Sequence, residues 1–401
     1  MREIGKPKPE YDHDNMVRLI EALPIPQKNK ALVKKWDLEL FAKGNKVSSR
    51  TQYLQSIYNL MRWQPEKELM AFSRADLMKF KQHLSTATYS RNGSKERPYA
   101  TTTIESYLSA VREFYRWQEK DKLMDWFKTK RRVRGRLRAE QILSQQDILK
   151  LVTAANSKRD KAAIFCLWES GCRASEFLNI KIGDLHFDEN CVHFTVAGKT
   201  GERQCYIVSS LPTLLEYLEV HPFKNKKDAW LWVKWKGQRL NINGLQRMLR
   251  ETVKRTDLSK PVFPHALRHS RCTFTAKQGL NEMMMRRLFG WSRTSEMPSI
   301  YISLSGKDEK NAVLELSGIK AEEKEQPIQP KKCVRCGTVA PVDAMVCKRC
   351  FFPLSAEAAA ELQEQAKIQR GMLQQASQKD FDNMAKKFMQ GQGIDLAKLK
   401  K

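Results

Sequence analysis

Apolar residues recur at helical spacing along most of this chain, and strand-like alternation is confined to one stretch. Ile104, Tyr107, Leu108, Val111, Phe114 and Tyr115 repeat as i, i+3, i+4, i+7, which is one buried face of a helix. Met16-Val17-Leu19-Ile20 and Tyr53-Leu54-Ile57-Tyr58-Leu60-Met61 carry the same periodicity. Alternation appears in Cys191-Val192-His193-Phe194-Thr195-Val196 and in Cys205-Tyr206-Ile207-Val208, on either side of Gly198-Lys199-Thr200-Gly201. That pattern predicts a β-hairpin whose turn presents a lysine. The chain is therefore expected to be mainly α, with a small β-hairpin or sheet in its second half.

Punctuation divides this pattern. Residues 15–126 read as a small helical domain, interrupted by a polar loop from Ser85 to Ala100 that contains Asn92-Gly93-Ser94. Residues 127–142 are a basic linker, in which Lys128, Lys130, Arg131, Arg132, Arg134, Arg136 and Arg138 crowd seven cations into eleven positions. Such a run self-repels unless it lies against phosphates. A second domain spans residues 143–318, opened by Ser144-Gln145-Gln146-Asp147, whose serine suits a helix N-cap. Lys320 to Lys332 has two prolines and no apolar period, so it reads as a linker. Residues 355–390 are Ala/Gln/Lys/Glu-rich and helical, with Leu362, Ile368, Met372 and Leu373 as packing positions. This last helix suits either contact with a partner protomer or a solvated tail, and composition does not separate the two.

Charge narrows the partners. Of 401 residues, 72 are Lys or Arg and 45 are Asp or Glu, a net charge of +27. An excess of this size favours a polyanion, because phosphate neutralisation releases condensed counterions. No apolar run approaches the ~18–20 residues of a membrane span, and the first residues lack a signal-peptide core. The nine cysteines do not form a disulfide framework, which fits a reducing cytoplasm. Four of them, Cys333, Cys336, Cys347 and Cys350, form two Cys-x-x-Cys knuckles in residues 331–353. Four thiolates at that spacing can close a tetrahedral zinc site, which is structural when no ligand position stays open.

Three short segments carry the chemistry. They are Ser170-Gly171-Cys172-Arg173-Ala174-Ser175-Glu176, Pro264-His265-Ala266-Leu267-Arg268-His269 and Pro298-Ser299-Ile300-Tyr301. Arginine suits a phosphate clamp because its planar fork donates two hydrogen bonds and stays charged. In content, order and spacing these segments resemble the signature boxes of the tyrosine recombinases, the phage integrase family. The later residues and the zinc-ribbon pattern are most similar to archaeal integrases.

The resemblance implies a helical core-binding domain, a recombinase catalytic domain and an appended ribbon. It implies that Arg173 and Arg268 grip a DNA phosphate and that Lys199, in the hairpin turn, protonates the leaving oxygen. His265 would bond the phosphate and take the tyrosine proton, and Trp291 would donate through its indole N–H. Tyr301 would be the nucleophile, its hydroxyl activated by neighbouring cations. Glu176 is expected to brace Arg173, and His269 to be a packed structural residue. Family members work as tetramers on paired sites in double-stranded DNA, without a catalytic metal or ATP, so zinc would serve structure alone. Two rivals remain open on sequence: a type IB topoisomerase, and a non-catalytic DNA-binding relative.

Overall fold

In the computed structural model the described residues are 13–89, 96–128, 139–198, 201–234, 237–304, 313–314, 317–319 and 326–391. The chain divides into two compact units, Met1–Gly135 and Arg136–Lys401. The first unit packs helices α1 (His13–Glu21), α2 (Gln27–Ala42), α3 (Val47–Trp63), α4 (Arg74–Thr86) and α5 (Thr101–Trp117). The apolar face of α5 is buried as its period requires, with Trp36 set edge-on against Phe114 at 5.2 Å. The polar stretch expected as a loop after Ser85 begins differently. Helix α4 runs to Thr86, and β1 (Thr88–Tyr89) pairs antiparallel with β2 (Arg97–Pro98). Tyr89 stacks on Tyr99 at 5.0 Å, and this apolar contact at the stem is what favours pairing there.

The second unit is built around one helix, α7 (Lys158–Ser170), which is buried continuously from Ala162 to Ser170. Ahead of it, α6 (Gln145–Ala154) begins in a capping box, Ser144 accepting from Asp147 N and Asp147 accepting from Ser144 N. A short α8 (Ala174–Phe177) leads to a three-stranded antiparallel sheet of β3 (His186–Phe187), β4 (Val192–Gly198) and β5 (Gly201–Ile207). The expected hairpin is β4–β5, with Gly198 opposite Gly201. Lys199 and Thr200, at its turn, lie outside the described residues.

Helices α9 (Leu211–Glu219), α10 (Ile242–Val253), α11 (Pro264–Lys277), α12 (Glu282–Phe289) and α13 (Met297–Leu304) follow. Two buried polar groups tie them to α7. Glu169 accepts from the backbone N–H groups of Val208, Ser209 and Ser210 and from the Ser210 hydroxyl, which fixes the start of α9. Trp168 Nε1 donates to Ser270 Oγ at 3.1 Å, and Ser270 Oγ donates to Leu143 O at 2.6 Å, binding α11 to α7 and to the entry of α6. The four cysteines lie between β6 (Lys331–Lys332) and the long α14 (Ala356–Gly391), with β7 (Val339–Ala340) pairing against β6.

The stretch before β6 departs from a free linker in its last residues. Ile328 is buried in the main core, its N–H donates to Gln145 Oε1 at 2.8 Å, and Gln145 Nε2 donates to Gln326 O. A single isoleucine and a backbone pairing suffice to anchor a segment without periodicity. Along α14, Leu362, Ile368 and Met372 are exposed rather than packed.

Gly171 ends α7 in the left-handed conformation, φ +58°, and a Cβ there would sit 2.5 Å from Phe289 Cε1. Gly171→Ala should lower stability by about 2 kcal/mol or more, the sum of left-handed strain and overpacking. A urea midpoint unchanged from wild type would show that α7 does not end against α12 in this way.

Candidate active site

Two left-handed glycines set the stage. Gly171 closes α7 and turns the chain so that Cys172-Arg173 follows at the head of α8, and Gly290 (φ +58°) closes α12. The carbonyls at the end of α12 then point at the first box. Arg203 Nε donates to Leu288 O at 3.0 Å, Arg268 Nη2 to Phe289 O at 2.6 Å, and Arg173 Nη2 to Gly290 O at 3.1 Å. Three guanidiniums thus cap three successive carbonyls at the negative end of one helix. Arg268 also donates to Gly171 O at 2.6 Å, so it joins the ends of α7 and α12.

Glu176 is the carboxylate between them. It accepts from Arg173 Nη1 at 2.8 Å, from Arg203 Nη2 at 2.7 Å and from Arg173 N at 2.9 Å. Burial alone would raise its pKa, but the hydrogen bonds from Arg203 and Arg173 outweigh it and hold the group at about 2. Arg268, only 3% exposed, donates to carbonyls rather than to a carboxylate, and burial draws its pKa below the usual arginine value. Three cations against one carboxylate leave an excess of positive charge in a partly desolvated centre. Such a centre binds an oxyanion.

The remaining expected residues gather on α11 and beyond. His265, Arg268, His269 and Cys272 share one face of α11 by their i, i+3, i+4, i+7 spacing. His265 is exposed, with its ring 4.2 Å from that of His269. Trp291 lies over Arg268 (5.6 Å) and stacks on Tyr301 at 5.6 Å and 11°. Tyr301 is buried with Cys272, Ala276, Met285 and Phe289, in a small apolar cluster made by α11, α12 and α13. Pro298 sits in the first turn of α13, as expected, while Gly306 lies outside the described residues.

Two expectations need correction. Tyr301 is not activated in this state: burial and the neighbouring Cys272 push its pKa up, and Arg268 only partly opposes them. His269 is not merely packed, because its Nδ1 is hydrogen-bonded to the Tyr301 hydroxyl.

Arg203 was missed as a site residue although its signal was in the sequence. It falls in phase with Cys205 and Ile207, the inward positions of β5, and opposite buried Val196. An arginine on the core side of a strand requires partners. Of the basic linker, Lys128 is exposed, and Lys130, Arg131, Arg132, Arg134, Arg136 and Arg138 lie outside the described residues.

The cysteine pattern closes in space. The Sγ atoms of Cys333, Cys336, Cys347 and Cys350 all lie within 4.8 Å of one another. Each knuckle is folded alike: Gly337 N donates to Cys333 O at 2.8 Å and Phe351 N to Cys347 O at 2.7 Å, both residues at positive φ. A tetrahedral ion with metal–sulfur bonds of about 2.3 Å needs sulfurs roughly 3.8 Å apart, so the four donors fit one. Within the second unit the module docks on α7 and α9 through Lys161–Asp343 and Lys348–Glu216 (2.5 Å).

Residues 139–307 match the model of the phage integrase family. The chain carries a phage integrase domain. Among curated proteins, the tyrosine recombinase of Thermosipho africanus is 26% identical over 257 residues, 62% of this chain and 87% of that protein. Tyrosine recombinase XerA of Pyrococcus horikoshii is 24% identical over 234 residues, 54% of this chain and 74% of that protein. Among solved structures, a lambda integrase dimer bound to a COC′ core site has a TM-score of 0.54 at 17% identity, covering 75% of this chain and 83% of that one. The Tn1549 transposon integrase in complex with transposon right end DNA has a TM-score of 0.53 at 14% identity, covering 72% and 99%. At these identities the structural likeness establishes the fold. Domain match and relatives together make residues 139–307 similar to the catalytic part of site-specific tyrosine recombinases. Among the described residues, no helix is long and apolar enough to cross a membrane.

The Glu176 ion pairs give a pH signature. An unfolded glutamate titrates near ~4.3 and the folded one at about 2. Its contribution is therefore complete above roughly pH 4.3 and is lost as pH falls towards the folded value. Glu176→Gln should lower neutral-pH stability by a few kcal/mol and flatten the dependence of the urea midpoint between roughly pH 4.5 and 2. Equal slopes in wild type and variant would mean that Glu176 is not paired as described.

Proposed function

We propose that this recombinase cuts duplex DNA by attack of Tyr301 on a phosphate held by Arg173 and Arg268. The observation that carries the reading is the guanidinium cluster on the end of α12, with one carboxylate among three cations and Tyr301 on the next helix. A phosphodiester bound there supplies the missing negative charge, and fixed guanidiniums stabilise the charge that grows on its non-bridging oxygens.

In the step itself, His265 takes the Tyr301 hydroxyl proton, a bond forms between Tyr301 Oη and phosphorus, and the bond from phosphorus to the 5′ oxygen breaks. Lys199 gives the departing oxygen its proton, leaving a 3′-phosphotyrosine and a free 5′ hydroxyl. Attack by a second 5′ hydroxyl reverses the sequence on a new strand, so the bond energy is conserved and no nucleotide cofactor is consumed. His265, exposed at the head of α11, and the Trp291 indole N–H bond the phosphate oxygens. Because Tyr301 is only 3% exposed, α13 shifts to bring its hydroxyl to the phosphate. The enzyme acts as a tetramer on paired duplex sites, with the 127–142 segment following the DNA backbone. We group it with archaeal integrases that move a mobile element, on the strength of the appended cysteine module.

In that module Cys333, Cys336, Cys347 and Cys350 hold a structural zinc ion. The ion would fix the two knuckles and with them the face that meets α9. Elemental analysis should find one zinc per chain. Cys347→Ser should abolish it and lower the melting temperature, because a closed metal site contributes folding energy directly. Full zinc content in Cys347→Ser would remove that cysteine from the ligand set.

The nucleophile is tested by covalent trapping. Nicked duplexes tiled across the DNA flanking the gene are incubated with protein in EDTA and run on a denaturing gel. Wild type should yield a protein–DNA adduct and Tyr301→Phe none. An adduct that survives Tyr301→Phe would overturn the assignment, and an adduct formed only with added magnesium would overturn the metal-free mechanism.

A further inference from the structure

The residue in contact with the tyrosine hydroxyl is one that the signature boxes leave without a role. His269 follows Arg268 on α11, and its Nδ1 is hydrogen-bonded to Tyr301 Oη. The ring is held from two sides. His265 meets it at 4.2 Å and 74°, and Tyr301 at 5.7 Å and 40°. Tyr301 is fixed on its other face by Trp291, stacked at 5.6 Å. The titratable and charged groups that act on this pair are His265, Arg268 and Cys272, all from α11.

We propose that His269 is the positioning residue of the nucleophile: its Nδ1 accepts the Tyr301 hydroxyl hydrogen and holds the phenol in place until a DNA phosphate reaches the arginines. This rests on the assignment of Tyr301 made above. The electrostatics agree with the geometry. Burial, His265 and Arg268 together press the His269 pKa down to about 4, so at neutral pH the ring is uncharged and one nitrogen is free to accept. Burial and Cys272 keep Tyr301 protonated, so its hydroxyl hydrogen lies between the two groups and the ring's own single proton is on His269 Nε2.

The same arrangement couples activation to substrate. A phosphate bound at Arg268 places negative charge beside both rings and offsets the cation that depresses His269. The histidine becomes the stronger acceptor at the moment the electrophile arrives. Without DNA, the hydroxyl stays protonated and buried. A tyrosine held in this way is available to a phosphate in the clamp and unavailable to adventitious electrophiles.

The test uses the full chain and whichever nicked duplex gives the wild-type adduct, with single-turnover adduct formation followed against pH. Asparagine places its Oδ1 near the position of Nδ1, so His269→Asn keeps an acceptor that does not titrate, whereas His269→Leu keeps none. His269→Leu should slow adduct formation on the order of tenfold or more, the scale of one well-placed hydrogen bond. His269→Asn should recover most of the wild-type rate. Both variants should bind the duplex as wild type does in a mobility shift, which also reports that they fold. Protonation of His269 removes the acceptor, so wild type should lose rate on its acid limb and His269→Asn should not.

Wild-type rates in His269→Leu would overturn the proposal. So would an asparagine variant as slow as leucine, since the histidine would then act through its proton chemistry or its bulk. Failure of the underlying reading looks different: Tyr301→Phe would still form the adduct, whatever His269 does.

Discussion

The end of α12 is the point on which the second unit's polar architecture depends. Leu288, Phe289 and Gly290 expose three carbonyls that the helix itself cannot satisfy, and Arg203, Arg268 and Arg173 take one each. The three arginines come from a strand, a helix and a turn that are far apart in sequence. A cation near a helix C-terminus is worth about 0.3–1 kcal/mol in the open and up to ~2 kcal/mol when partly buried. The larger effect is geometric. Each guanidinium spends one or two N–H groups on backbone, which fixes its plane and directs its remaining donors. Glu176 does the same from the other side and lowers the repulsion among the three, but leaves positive charge unbalanced. The contacts that stabilise this end of the unit thus also set the positive charge available to an anion, and removing one cation would reduce both.

How far this was legible in the sequence depends on whether side chains or backbone carry the information. Arg173, Arg268 and Tyr301 stand in strings whose residue types and spacing are specific, and the hairpin follows from alternation around two glycines. The acceptors at 288–290 are carbonyls, which have no residue signature; only Gly290 hints that a helix stops there. Arg203 follows from the register of β5, a property of two strands together, although its phase with Cys205 and Ile207 was readable. His269 shares its helix face with His265 and Arg268, so sequence alone could not say which histidine meets the tyrosine. The docking of Ile328 was hidden because one apolar residue has no period.

The cysteine module bears on the catalytic unit more closely than two knuckles after a linker suggest. Its contacts reach α9 through Lys348–Glu216 and α7 through Lys161–Asp343, and Gln145 on α6 holds the approach to β6. Lys161 lies near the start of α7 and Gly171, whose carbonyl holds Arg268, closes its end, so module and clamp meet opposite ends of one helix.

Burial of Tyr301 sets a conflict that the site has to resolve. The nucleophile proposed above needs an exposed, easily deprotonated hydroxyl, yet Tyr301 lies among Cys272, Ala276, Met285 and Phe289 with its pKa raised. Among the described residues, the cluster that buries it is small and separate from the main core, and α13 contributes Tyr301 and the partly buried Met297 to it. Releasing the tyrosine therefore exposes little apolar surface. At about 25 cal/mol per Å² of apolar area, a single aromatic leaving such a cluster costs a few kcal/mol. A phosphate entering a centre with uncompensated positive charge can offset a cost of that size. The acceptor on α11 belongs to the same balance, because it stands beside Arg268 and responds to the same charge. On the mechanism proposed above, cation excess, a small satellite core and a neutral histidine are parts of one device, in which the DNA phosphate itself would make Tyr301 available.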